Sequence, residues 1–276
     1  MKKQVLPMFS TLAMAITFSA SAQAVTVNIA AAKLFEDALW DTAYDVEGPV
    51  IQAFKTSTAY TSLGYSVDFT VARGPAGTYA STIANNLDND VVLYELFISA
   101  DTDYPDDLYD NYYALGHTSD VEVVSQGKLM HWSNGNVDVA SNWPTDFIAN
   151  YTSPGIGICN PTNGPYGQAA LDVIAADYSP ISSSDTTQYG MIKAVDSAVA
   201  SGSMESGFVP TALNCSSGAV SVPSGATYHV FDDTYDHGAI QIYSGDGDVD
   251  DAAEAFMDWL ASSAGQAELE DYCLAF

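Results

Sequence analysis

The sequence predicts an α/β protein with its strands in a parallel sheet, and three observations carry that expectation. The run Val91-Val92-Leu93-Tyr94-Glu95-Leu96-Phe97-Ile98-Ser99-Ala100-Asp101 is mostly apolar and then turns small and acidic. That is the composition of a strand buried on both faces, with its polar end at the carboxyl edge where open α/β sheets bind ligands. Strand-like and helix-like segments alternate along the rest of the chain, as βαβ units require. The length of 276 residues is enough to bury a large core, as one large domain or two lobes.

Residues 1–24 stand outside that pattern. Lys2 and Lys3 precede an apolar stretch, Val5 to Phe18, and Ala22-Gln23-Ala24 is a small-x-small cleavage site. A secretory signal peptide has this form, so the mature chain is expected to begin near Val25. No Cys follows the apolar stretch, which argues against a lipid anchor, and no other apolar run approaches the roughly 20 residues that span a bilayer. The expected product is a soluble exported protein in the periplasm.

Val25–Ala32 is a first strand running into small residues. A helix is expected from about Leu34 to Phe54, because Leu34, Ala38, Val46 and Val50 are spaced for one buried face. Tyr65–Val71 alternates as a second strand. It opens into Arg73-Gly74-Pro75-Ala76-Gly77-Thr78, a small-residue turn before a helix at Tyr79–Leu87. After the organising strand, Asp103–Asp120 has the composition of a helix plus an acidic loop. Gly127–Trp132 is a short strand and Asn142–Phe147 starts a short helix. Gly155–Cys159 is a strand, Asn160–Pro165 a loop, and Tyr166–Ala176 a helix.

Ser183–Thr187 is polar and loop-like, and Met191–Ala200 is a helix carrying Ile192, Val195 and Val199. Gly207–Val209 is a short strand before a Ser/Gly-rich loop reaching Gly225. Thr227–Phe231 and Ala239–Tyr243 are expected as two strands. The chain ends in an amphipathic helix, Val249–Leu260, and a shorter one near Ala267–Tyr272.

The charge balance excludes some partners. Without the leader, five basic residues face 35 acidic ones, a formal net charge of −30. Nucleic acid and anionic membrane surfaces are repelled by such a chain. The acidic excess suits either a solvation coat in salty surroundings or the scavenging of divalent cations. Cys159, Cys215 and Cys273 sit more than 50 residues apart, which fits no zinc module. In an oxidising compartment one disulfide and one buried thiol are expected, with the pairing open.

The words Glu95-Leu96-Phe97-Ile98-Ser99-Ala100-Asp101 resemble the "DLFISAD" strand of the molybdate-binding proteins of bacterial ABC importers. Ala30-Ala31-Ala32-Lys33-Leu34 resembles that family's "AAASL", Ile156–Pro161 its "LAVGDP", Pro165-Tyr166-Gly167 its "PAG", and Gly207-Phe208-Val209 its "GIV". Phe256-Met257-Asp258-Trp259-Leu260 through Tyr272 resembles its "FYDYL … YGF". These words lie in the family's order over nearly the whole mature chain. The resemblance implies a two-lobed α/β fold, a type II periplasmic binding protein with a ligand cleft between the lobes. On that pattern lobe one takes residues 25–125 and 230–276, and lobe two takes 126–229. Lys128–Trp132 and Thr227–Phe231 would cross between them.

The resemblance also implies a function: binding a small oxyanion of the molybdate or tungstate kind for an ABC permease in the inner membrane. The positions it marks for ligand contact are Lys33, Arg73, Ala76, Gly77, Thr78, Tyr166, Ile192 and Pro210. Several differ from the family. Lys33 and Ala76 replace serines, Thr78 is the nearest hydroxyl, and Pro210 stands where the family has a tyrosine. Tyr166 and Ile192 would act through backbone N–H groups, and helix N-termini are natural anion cradles. Lys33 and Arg73 raise a second expectation, a binder of a different anion such as an organic acid, with charged donors replacing hydroxyls. A third is an exported structural or interaction protein that has lost transport. The chain is expected to be a monomer without a cofactor.

Other motifs carry less. Asp246-Gly247-Asp248-Val249-Asp250-Asp251 starts like a calcium loop, but Asp251 replaces the glycine and Met257 the bidentate glutamate, so a helix N-cap is the better reading. His117, His131, His229 and His237 lack metal-motif spacing. Tyr112-Tyr113 is read as aromatic packing instead of a ferric site. No Ser–His–Asp or Cys–His arrangement and no phosphate loop occurs, so no enzymatic activity is expected.

Overall fold

A computed structural model describes residues 24–276, other than Asn142, Ser153, Pro154 and Asn163. The expected leader, but for Ala24, lies outside the described residues. Strand β1 (Val25–Ala32) ends in a single 3-10 turn, Lys33–Phe35, that runs into the one-turn helix α1 (Glu36–Leu39). The long helix expected to Phe54 is broken here. Two-residue strands β2 (Trp40–Asp41) and β3 (Val46–Glu47) form a hairpin, and α2 (Pro49–Thr56) starts afresh. Proline suits a first helical turn. Gly48 is required before it, because a Cβ there would stand 2.5 Å from the Leu39 backbone. Val46 is exposed as a result, while Val50, Ile51 and Phe54 are buried.

Helix α3 (Thr58–Leu63), capped by Ser57, leads into β4 (Val67–Gly74), which pairs in parallel with β1 along its whole length. Arg73 and Gly74 thus belong to the strand, and α4 (Ala76–Leu87) begins directly after Pro75, earlier than the expected Tyr79. Strand β5 is only Leu96–Ile98. Val91 and Leu93, from the first half of the expected strand, are 42% and 51% exposed. Glu95 marks the boundary, its carboxylate accepting from Asn28 N at 2.7 Å and Asn28 Nδ2 at 3.0 Å. Helix α5 (Asp103–Tyr112) follows. It buries Tyr112, which donates to Asp88, and Tyr113 beyond it stacks on Tyr109.

The long strand β6 (Glu122–Ser133) carries the chain to the second half, built from α6 (Thr145–Asn150), β7 (Ile156–Cys159), α7 (Pro165–Asp177), β8 (Thr186–Tyr189), α8 (Ile192–Ala200) and β9 (Ser206–Pro210). A small hairpin of β10 (Cys215–Ser216) and β11 (Ala219–Val220) precedes β12 (Thr227–Gln241), and α9 (Gly247–Ala261) and α10 (Ser263–Glu270) finish the chain. Asp246 caps α9 by accepting from Asp248 N. Edge strand β8 replaces part of the expected Ser183–Thr187 loop; its Thr-Thr-Gln-Tyr sequence has no apolar alternation to announce it.

The two strands expected over Thr227–Phe231 and Ala239–Tyr243 are one element. β12 pairs antiparallel with β6, with register shifts between Val230 and Thr234 and between His237 and Gly238. The sheet order is β4-β1-β5-β12-β6-β9-β7-β8. Each half is parallel within itself and the crossing strands are antiparallel, so the sheet is mixed. Its hydrogen bonding is also continuous, because β6 and β12 are long enough to serve both halves. This is the two-lobed α/β architecture expected, with the carboxyl ends of β1, β4, β5 and β7 facing the division.

Aromatic rings fill the core beneath α2, β4 and α9, where Phe54 meets Phe69, Phe256 and Trp259 edge-on or tilted. Cys215 and Cys273 form the disulfide, tying the β10–β11 hairpin to the C-terminal tail, and Cys159 is the buried thiol.

Candidate functional site

A cavity of about 40 Å³ lies where the two halves meet. Lys33, Gly74 and Ala76 wall it from one side; Cys159, Tyr166 and Ile192 wall it from the other. Each sits at or just beyond the carboxyl end of a strand or at the first turn of a helix, so the sheet edge itself positions the wall.

Three helices begin on this cavity. Ala76 opens α4, Pro165 and Tyr166 open α7, and Ile192 opens α8. Their N-cap residues are Pro75, Gly164 and Met191, and no side chain caps any of the three. Among the described residues the backbone amides of Ala76, Gly77, Tyr166 and Ile192 have no acceptor. Each helix end carries roughly half a positive charge. Three such ends around one small cavity make a site for negative charge without a cation in it.

The two lysines nearby are paired with carboxylates. Lys33 lines the cavity, but its ammonium bonds Glu36 Oε1 at 2.5 Å. Lys193, beside Ile192, reaches across the division to Glu36 Oε2 at 3.0 Å and approaches Asp37 at 3.9 Å. Glu36 is only 6% exposed. Burial pushes its carboxyl up, but the two ammonium groups outweigh that and hold it below the usual range, while the Lys193 ammonium is itself held above its usual value. Arg73 does not line the cavity. Its guanidinium lies 5.5 Å over the Trp40 ring, and Nη1 is buried without a hydrogen-bond partner among the described residues.

Of the sequence-expected positions, the fold therefore brings Lys33, Ala76, Tyr166 and Ile192 together around the cavity. Gly77 lies behind it against Tyr104, Thr78 is exposed on the outer face of α4, and Pro210 is buried in β9 opposite Leu129. Sequence reasoning missed Cys159, Ala100 and Met191 in the wall. Cys159 ends β7, Ala100 lies two residues past the end of β5, and Met191 precedes a helix; their positions were the signal, since their side chains suggest no ligand.

Beneath the wall Tyr166 is fixed by a buried chain. Its hydroxyl lies 2.9 Å from Nε2 of His237 on β12, whose Nδ1 lies 2.8 Å from Ser125 Oγ on β6. Burial holds His237 neutral, with its pKa pushed down to about 3. His131 is likewise enclosed, stacked on Phe208, and pushed down to about 3 by burial first and by His229. His229 stacks on Trp143 at 4.0 Å. Among the described residues no group of three or more His, Cys, Asp or Glu is arranged to hold a metal ion.

None of the curated proteins matches the chain. Solved structures do. The periplasmic molybdate-binding protein of Azotobacter vinelandii aligns with a TM-score of 0.63 at 20% identity, over 91% of this chain and 99% of that one. The sulfate-binding protein SubI of Mycobacterium tuberculosis aligns at 0.64 and 12%, over 91% and 86%. Iron-bound HitA of Pseudomonas aeruginosa aligns at 0.57 and 13%, over 91% and 85%. At such identities the likeness is one of fold, which is that of two-lobed type II binding proteins. No helix among the described residues is long and apolar enough to cross a membrane. The family of bacterial extracellular solute-binding proteins matches residues 42–273, and this chain is a member of it.

Proposed function

We propose that the chain is the binding protein of an ABC importer, a periplasmic monomer that carries a small, fully ionised tetrahedral oxyanion to an inner-membrane permease. Molybdate and tungstate are the leading candidates. The observation that supports this most is the convergence of three uncapped helix N-termini on a cavity of about 40 Å³. A tetrahedral dianion offers acceptors in every direction to such an array. The molybdate and sulfate binders among the structural neighbours agree with an oxyanion. Ala76, Tyr166 and Ile192, with Gly77, would hold the ligand through backbone N–H groups; Lys33 would shape the wall with its stem. The commitment of Lys33 to Glu36, and the place of Arg73 outside the cavity lining, favour neutral donors over the charged ones an organic acid would call for. No bond-making step is required, so the role is carriage and not catalysis.

Thermal-shift and calorimetric titration against molybdate, tungstate, sulfate, phosphate, ferric ion and organic acids tests the proposal, because a ligand that binds only the folded state raises its stability by mass action. One tetrahedral dianion should shift the melting temperature strongly. Silence across the whole panel would favour an exported interaction protein instead.

A further inference from the structure

We propose that Glu36 is the specificity-determining residue of the cavity, acting by withholding two lysine charges from it. The inference rests on the oxyanion reading above and adds what chooses among anions. Lys33 stands in the cavity wall, and Lys193 bonds the same Glu36 carboxylate that Lys33 does, so the two ammonium groups are held together next to that wall. Glu36 takes one on each carboxylate oxygen, and Asp37 lies close to the second. Two carboxylates thereby match two ammonium groups. The cavity is left with only the directional donors of helix ends, which reward an anion that presents acceptors all round. A free ammonium would attract any anion, carboxylates included, with charge-assisted bonds about twice as strong as neutral ones. Glu36 therefore rejects wrong anions by keeping a general attraction out of the site, which is how many specific sites discriminate. Because Glu36 is nearly buried and doubly bonded, its carboxylate has no cheaper partner to leave for.

Two variants of the full mature chain test this by calorimetry against molybdate, sulfate, acetate and succinate. Glu36→Gln releases both ammonium groups and should raise affinity for the carboxylates tenfold or more relative to the tetrahedral anion. Lys193→Met breaks only the bond across the division, leaves Lys33 on Glu36, and should keep the wild-type preference. An unchanged preference in Glu36→Gln, or the same gain of carboxylate binding in Lys193→Met, overturns the proposal. If the wild type binds none of the four, the oxyanion reading fails separately. Carboxylate binding gained by Glu36→Gln would still uphold the withholding role, and its absence would end it.

Discussion

Tyr166 and His237 share a hydrogen bond of 2.9 Å between phenol oxygen and Nε2, so the wall of the cavity is pinned to a crossing strand. Gly127 on the neighbouring strand makes room for that contact. A Cβ at Gly127 would stand 2.3 Å from Tyr166 Oη and 2.7 Å from His237 Cε1.

Gly127→Ala should accordingly cost about 1–3 kcal/mol, the usual range for forcing extra volume into a packed interior. Urea unfolding measures it. Oxyanion affinity should fall with it, because Tyr166 opens α7. A variant as stable as wild type would mean that the chain from Ser125 to Tyr166 adapts freely.

Two buried histidines should work against the fold as soon as the pH drops below about 6.5. His131 and His237 are held neutral in the fold with pKa values near 3, against about 6.5 when unfolded. The unfolded state therefore binds more protons below pH 6.5, and stability falls by roughly 1.4 kcal/mol per pH unit for each histidine until the folded values are reached. Asp101 works the other way. Burial raises it to about 6, so it adds stability as pH drops from 6 towards 3.8 and offsets about one histidine there. Glu36, lowered by its lysines, withdraws its contribution below about pH 4.5. Burial raises Glu95, Asp196 and Glu122 as well, and these also oppose the histidines. The histidines are therefore best followed directly: their ring NMR signals should stay those of neutral imidazole from pH 7 to pH 4.5, and titration of the folded protein near pH 6.5 would show that the two rings are hydrated.

Met191→Asp should separate stability from function. Met191 has the extended backbone of an N-cap, φ −140° and ψ 147°, and no capping side chain. An aspartate there would cap α8 and stabilise the fold by about 0.5–2 kcal/mol. The same carboxylate would stand in the cavity wall and repel the ligand. Higher melting temperature with oxyanion binding abolished is the expected pair of results, and retained binding would place the anion elsewhere.

Reducing the Cys215–Cys273 bond opens a loop of 58 residues in sequence separation. Chain entropy alone assigns that closure about 4 kcal/mol. Cys215→Ser with Cys273→Ser should lower stability by about 2–4 kcal/mol in denaturant titration, and an unaltered midpoint would mean that the unfolded state is already held compact.

Much of this fold was legible locally. Ile156 and Ile158 alternating with Gly155 and Gly157, Pro165 before the apolar face of α7, and the spacing of Ile192, Val195 and Val199 each point to the element found. The carboxyl edge was legible in part: β1 and β7 end at Ala32 and Cys159 as expected, whereas β4 runs on to Gly74, β5 stops at Ile98 and β9 takes in Pro210. What escaped is non-local. Periodicity carries a helix through Leu34–Phe54 because Ala38, Val46 and Val50 match its spacing, yet Gly48 and Pro49 restart the chain and turn Val46 outward. Glu36 is unremarkable in sequence, and its second partner lies 157 residues away; only the meeting of the two halves creates the ion pair. Polar β8 and the true length of β12 depend on neighbours that supply hydrogen bonds, which no single stretch encodes.

The broken register of β12 has a mechanical meaning. A hydrogen-bonded ladder is stiff where its rungs are regular and pliable where they are missing. Phe231, Asp232 and Asp233 fall in the gap between paired Val230 and Thr234, and a second irregularity follows His237. These two points are creases in an otherwise continuous sheet. The second crease adjoins the histidine that holds Tyr166. The weakest stretch of the ladder and the support of the cavity wall therefore fall on the same few residues.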